Sequence, residues 1–82
     1  MQVILSKEAQ RHFKNLPQSE KIKIRKKLLV LQENPYDGKK LSGKLETQRS
    51  LRAWPYRIIY FFNKKEKRVE INSILHRQGV YK

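Results

Sequence analysis

An α+β fold, with a helical hairpin on one face of a small antiparallel sheet, is what this sequence predicts. Three observations carry the prediction. Apolar residues recur at helical spacing through the first third of the chain, and from Arg49 onward the period switches to two. The length of 82 residues leaves room for one domain, residues 1–82, and no second.

The elements follow in order. Val3 and Leu5 flank Ile4 in a short alternating stretch, Met1 to Leu5, that reads as a strand. Ser6 stands where an N-cap belongs, and Glu8 in the first turn complements the helix dipole. Ala9, Phe13 and Leu16 then recur at i, i+4 and i+7, predicting a helix over 7–15. Pro17 interrupts it. A second helix over 18–33 carries Ile24, Leu28 and Leu31 on one face, with Ile22 and Leu29 expected alongside and Lys23, Arg25, Lys26 and Lys27 on its other face. Asn34-Pro35 ends it, because the residue before proline is pushed out of the helical region. Residues 36–48, with Asp37-Gly38 and Ser42-Gly43 as turn signals, read as loop. Three strands close the chain: Arg49 to Trp54, Tyr56 to Phe62, and a third through Val69, Ile71, Ile74 and Leu75 that ends just before His76. Asn63 to Lys67 is the polar turn between the last two. The order is β-α-α-β-β-β, with the first strand joining the sheet edge. The helices cover one sheet face and leave the other to solvent or a partner.

Charge narrows the function classes. Twenty Lys and Arg against seven Asp and Glu give a net +13, and residues 39–82 carry +9 of it. So large an excess points to a polyanionic partner: nucleic acid, an anionic membrane surface or an acidic protein. The membrane reading is weakest, since the basic helix lacks a Trp/Phe face to anchor it and no apolar run is long enough to span a bilayer. With no cysteine and no signal-peptide pattern, a cytoplasmic location is expected. The two histidines, His12 and His76, have no metal-ligand spacing, so neither a metal nor another cofactor is expected.

No nucleophile elbow, P-loop or paired carboxylates appear. Instead the second half interleaves cations with aromatics: Arg49, Arg52, Trp54, Arg57, His76, Arg77 and Tyr81, with Lys39, Lys40 and Lys44 in the preceding loop. Arginine forks bind phosphate and aromatic rings stack on unpaired bases, which is what single-stranded RNA recognition needs. Trp54, Tyr56, Tyr60, Phe61 and Phe62 are of types more often found as core or sheet cover than as base platforms. Arg57 lies inside an otherwise apolar strand, where a charge needs a task or a partner; Glu70 on the neighbouring strand is the candidate partner. RNA cleavage needs no carboxylate pair, because the 2′-OH is an internal nucleophile. It needs a base, cations for the phosphate and a donor to the leaving 5′-oxygen. Arg57, His76, Arg77 and Tyr81 offer these groups.

Leu41-Ser42-Gly43, then Leu51-Arg52-Ala53-Trp54-Pro55-Tyr56-Arg57-Ile58-Ile59-Tyr60, then Ile74-Leu75-His76-Arg77-Gln78-Gly79-Val80-Tyr81 resemble the RelE/ParE superfamily of toxins from type II toxin–antitoxin systems. The resemblance spans essentially the whole chain. It implies one of two activities: a RelE-like endoribonuclease that cuts mRNA in the ribosomal A site and inhibits translation, or a ParE-like poison of DNA gyrase without nuclease residues. In the nuclease branch it assigns the scissile phosphate to Arg57, a second basic role to Arg77 and the 2′-OH to Tyr81. His76 is the alternative acid, and Lys39, Lys40, Lys44, Arg49 and Arg52 are the implied RNA contacts. A lysine pair typical of these nucleases falls instead at Gln48 and Ser50; Arg49 and Arg52 are nearby substitutes, with Arg52 on the same predicted face as Ser50. The family's longer C-terminal helix is not expected here. The implied partner is an antitoxin with an acidic, partly disordered segment.

Overall fold

The computed structural model describes residues 1–41 and 48–77. The chain runs β1 (Gln2–Leu5), α1 (Lys7–Lys14), α2 (Gln18–Glu33), β2 (Lys39–Lys40), β3 (Arg49–Ala53), β4 (Tyr56–Asn63) and β5 (Arg68–His76). The α+β class and both helices stand as predicted, with α1 ending one residue early on Asn15 as its C-cap. Strand ends shift by a residue, β5 running through His76 and β3 stopping at Ala53, and two larger details of the sheet differ. Within the segment read as loop, Lys39 and Lys40 pair with Ser50 and Arg49 to form β2. A two-residue, lysine-bearing edge strand has no apolar alternation to betray it, and lysines are the usual guard of an exposed edge. The sheet is also mixed rather than antiparallel: its order is β1-β5-β4-β3-β2, with β1 parallel to β5. The connection between this parallel pair is long, running through both helices and β2 to β4.

Ser6 joins the layers. Its Oγ accepts the Ala9 N–H at 3.0 Å, capping α1, and donates to the Asn72 carbonyl at 2.7 Å. Asn72 is the extra residue of a β-bulge, since Ile59 stands opposite Ser73 but Tyr60 opposite Ile71. The bulge shifts the side-chain parity of β5, so Val69, Ile71 and then Ile74 all face the helices. They meet Ala9, Ile24 and Leu31 from the helices and Leu51, Ile58 and Tyr60 from β3 and β4. Ile22 and Leu29, expected alongside this face of α2, are exposed. At about 100° per residue they lie roughly 140–160° around the helix from Ile24.

Tyr60 fastens the chain between α2 and β2. Fully buried, its hydroxyl donates to the Pro35 carbonyl at 2.7 Å and accepts the Gly38 N–H at 2.9 Å. Gly38 passes so close that an added Cβ would lie 2.7 Å from the Tyr60 ring and 2.9 Å from the Ser50 carbonyl. Burial pushes the Tyr60 phenol above its ordinary value, against the Gly38 hydrogen bond and the field of Arg49. Among the described residues, no helix is long and apolar enough to cross a membrane.

Candidate nucleic-acid interface

Strand parity decides which cations reach the sheet face away from the helices. Leu51 and Ala53 turn inward, so Ser50 and Arg52 turn outward; in β4, Ile58 and Tyr60 turn inward, leaving Arg57, Ile59 and Phe61 on the open side. The register sets Arg52 directly opposite Arg57, and Lys39 opposite Ser50. The two arginines line a cleft of about 450 Å³ with Asp37, Lys39, Lys40 and Ser50. They also line a smaller cleft, about 120 Å³, with Trp54, Pro55, Tyr56 and Arg77. Each guanidinium carries five N–H donors in a planar fork, suited to a phosphate.

The tight connection at Trp54-Pro55, a cis peptide, holds the third arginine. Arg77 donates its backbone N–H to the Pro55 carbonyl at 2.8 Å and stacks its guanidinium 4.9 Å from the centre of the Trp54 ring. Trp54 is well exposed. Lys23 braces the same turn from α2: its Nζ donates to the Trp54 carbonyl at 2.8 Å and pairs with Glu20 at 3.1 Å. Arg52, Arg57 and Arg77 therefore share one region beside an exposed indole.

The other expected residues are distributed differently. His76 stands opposite Tyr56 and packs edge-on against that ring at 5.2 Å, on the helix-facing parity of β5. Arg49 also lies on the helix side. Its Nη1 donates to the Gly38 carbonyl at 2.8 Å, and its guanidinium lies 5.0 Å from the Tyr36 ring centre. Lys39 and Lys40 edge the larger cleft. Lys44 and Tyr81 lie outside the described residues. Arg57 stands opposite Leu75, while Glu70 stands opposite Phe61. The carboxylate that sequence offered to Arg57 accepts from Arg68 at 2.7 Å and from Asn63 at 3.3 Å, and these bonds hold it below the ordinary glutamate range.

Sequence alone does not single out Tyr36, Lys64 and Lys65. The fold brings these three together with Arg49 around a further cleft of about 580 Å³. No local signal marks them, because Tyr36 reaches the β4–β5 turn only through the long-range Tyr60 anchor.

Two helices over one face of a five-stranded mixed sheet is a fold shared with solved toxins. The chain is similar in structure to the toxin–antitoxin complex RelBE2 from Mycobacterium tuberculosis, at 26% identity and a TM-score of 0.85, covering 93% of this chain and 96% of that one. It is also similar to the YoeB/ParE toxin from Agrobacterium tumefaciens, at 15% identity and TM-score 0.81 over 93% and 98% of the two chains. The isolated RelE toxin of E. coli aligns at 22% identity and TM-score 0.79, over 92% and 82%. No curated protein sequence matches the chain. Residues 3–81 match the family described as the ParE toxin of type II toxin–antitoxin system, parDE. The chain belongs to that family: it is a type II toxin of the RelE/ParE superfamily.

Proposed function

We propose that this toxin is a RelE-like, ribosome-dependent endoribonuclease that inhibits translation by cutting mRNA. The observation that supports it most is the direct opposition of Arg52 and Arg57 on the open sheet face, with Arg77 beside them over Trp54. Two phosphate-reading forks at one register position, next to a ring on which a base stacks, suit a single-stranded RNA bent around one phosphate.

In this scheme the RNA 2′-oxygen attacks the adjacent phosphorus as Tyr81 takes its proton. The bond from phosphorus to the 5′-oxygen breaks, leaving a 2′,3′-cyclic phosphate and a 5′-hydroxyl. Arg57 stabilises the charge on the five-coordinate phosphate, and Arg77 sits by the leaving oxygen and stabilises its charge as it takes a proton from solvent, with His76 as the alternative acid that protonates it. Tyrosine's ordinary pKa near 10 makes it a poor base at neutral pH, so the clustered cations must favour its phenolate. Lys39, Lys40, Lys44 and Arg52 hold flanking phosphates, while Arg49, tied to the Gly38 carbonyl on the helix side, is left out of this role. No metal or cofactor has a step in this scheme.

The partner outside the ribosome is an antitoxin with an acidic, partly disordered segment. Solved relatives from M. tuberculosis, Pyrococcus horikoshii and E. coli are toxin–antitoxin complexes, and a net +13 favours fast, salt-sensitive capture by such a segment. Both partners would be met in the cytoplasm.

The second reading is a ParE-like gyrase poison, acting by protein binding alone. It is favoured by the match to the ParE toxin family and by Gln48 and Ser50, uncharged where lysines are typical. Controlled induction in a bacterial host separates the two. The nuclease reading expects message cleaved at mapped codon positions with supercoiling normal; trapped gyrase–DNA complexes with intact message would replace it with the second.

A further inference from the structure

Three clefts share residues. The Trp54 cleft and the Asp37 cleft hold Arg52 and Arg57 in common, and the Asp37 cleft meets the Tyr36 cleft at Lys40. Along this path lie eight of the described cations and one carboxylate, Asp37. Both ends carry the same device, an exposed aromatic ring with a cation over it. At one end it is Trp54 under Arg77; at the other it is Tyr36, 5.0 Å from Arg49 and 5.9 Å from Lys64. The eight-residue β4 spans the distance between them, about 23 Å.

The two cations on Tyr36 differ in their freedom. Arg49 is tied by its hydrogen bond to the Gly38 carbonyl, and the ring is fixed edge-to-face against Phe62 at 5.2 Å, on a loop anchored by Tyr60. Lys64 sits on an exposed turn at the end of a flexible stem. A base stacking on Tyr36 would displace Lys64 and meet it again through the phosphate, with Lys65 beside it. Such stacking is the stronger interaction and is tolerant of sequence.

We propose that the Tyr36 cleft is a second nucleotide subsite, where single-stranded polynucleotide passing from Arg52 and Arg57 around Lys40 stacks a base on Tyr36 and sets its backbone against Lys64 and Lys65. The inference rests on the nucleic-acid reading of the arginine cluster. An acidic peptide would need the charges but not a ring at each end of the path.

The test uses the full chain and uncleavable 2′-O-methyl oligoribonucleotides of three and nine nucleotides, with Trp54, the single tryptophan, as fluorescent reporter. The nonamer should bind more tightly than the trimer. The double variant Lys64→Ala/Lys65→Ala should weaken the nonamer about tenfold and leave the trimer unchanged. It should also lower the slope of log affinity against log salt by about 1.4, at roughly 0.7 for each single-strand phosphate that is no longer neutralised. Tyr36→Leu should weaken the nonamer by roughly 5- to 100-fold, whereas Tyr36→Phe should bind like the parent. Melting curves of each variant separate impaired binding from impaired folding, and the exposed lysine pair carries the test should Tyr36→Leu unfold. Equal affinity for trimer and nonamer, or an unchanged salt slope in the lysine variant, would overturn the subsite. So would polyglutamate binding with the same dependence on Tyr36, which would make the cleft an unselective polyanion surface. Cleavage of ribosome-bound message is measured separately. Its absence beside length-dependent binding sinks the nuclease reading and spares the subsite; its presence without length dependence does the reverse.

Discussion

The two faces of this sheet are made by alternate residues of the same strands, yet they obey different physics. On the helix side, Ile58, Tyr60, Val69 and Ile71 are almost wholly buried, and the polar groups beside them serve the fold: the Tyr60 hydroxyl holds Pro35 and Gly38, and Arg49 holds Gly38. On the other side the same β4 presents Arg57, and β3 answers with Arg52. Like charges at directly opposed positions weaken a strand pair. The helix side thus serves folding, while the open side sets two cations together where an anionic ligand would meet both. A core residue and a site residue differ here by one step along one strand.

Adjacent substitutions break this comparison most sharply. Arg57→Ala should slow single-turnover mRNA cleavage on the ribosome about 100- to 1000-fold, the typical effect of removing one oxyanion-type interaction of about 3–4 kcal/mol, while melting stays close to the parental temperature. Ile58→Ala should do the opposite: a loss of about 2–5 kcal/mol of stability by cavity formation, with cleavage by the folded fraction retained. Thermal melting beside cleavage rates measures both. A large stability loss in Arg57→Ala together with normal cleavage would make Arg57 a residue of the fold rather than of the site.

His76 and Tyr81 sharpen it next. His76 packs on Tyr56 on the helix-facing parity, so His76→Ala should lower stability more than cleavage. Tyr81→Phe removes one oxygen and little surface, and should cost cleavage about as much as Arg57→Ala while ribosome binding is kept. If Tyr81→Phe cleaves at the parental rate and His76→Ala is folded but inactive, the proton-transfer group is the histidine.

How much of the molecule is legible in its sequence follows from the range of the interactions. α2 can be read to the residue, because a 3.6-residue period between Pro17 and Asn34-Pro35 is a local signal. Strand alternation alone places Arg52 and Ser50 on one face. β2 escapes because two lysines have no period, and the parallel pairing of β1 because nothing within four residues encodes a neighbour 66 positions away. The bulge at Asn72 and the Tyr36 cluster are invisible for the same reason: both depend on contacts between distant segments. The expected Arg57–Glu70 pair fails on register, which places Phe61 rather than Arg57 against Glu70.

Tyr60→Phe tests the helix side at a smaller scale. It leaves the buried Gly38 N–H and Pro35 carbonyl without their hydroxyl partner, an expected loss of about 1–3 kcal/mol in urea unfolding. Burial raises the folded phenol's pKa, so its contribution is complete below the unfolded value near 10 and is lost as pH rises through the folded one. The parent should therefore lose stability above about pH 10, and Tyr60→Phe should lose less over that window. Parallel pH profiles for the two proteins would place the phenol outside this linkage.

The smallest effect belongs to the far end of the open face, where Arg68 and Asn63 bind the Glu70 carboxylate. These bonds lower its folded pKa, so the sign is opposite to that of Tyr60. The contribution is present above the unfolded glutamate value near 4.3 and is lost as pH falls through the folded value. Both side chains are more than one-third exposed, so solvent and salt screen the pair and little stability rides on it. Glu70→Gln should melt about 1–3 °C below the parent at pH 7 in low salt, and the two curves should converge both in about 0.5 M salt and well below pH 4. A gap that persists in acid would mean that Glu70 acts through packing against its neighbours rather than through charge. The same variant should leave cleavage unchanged, because the ion pair lies beyond Phe61, away from the arginines proposed to hold the phosphate.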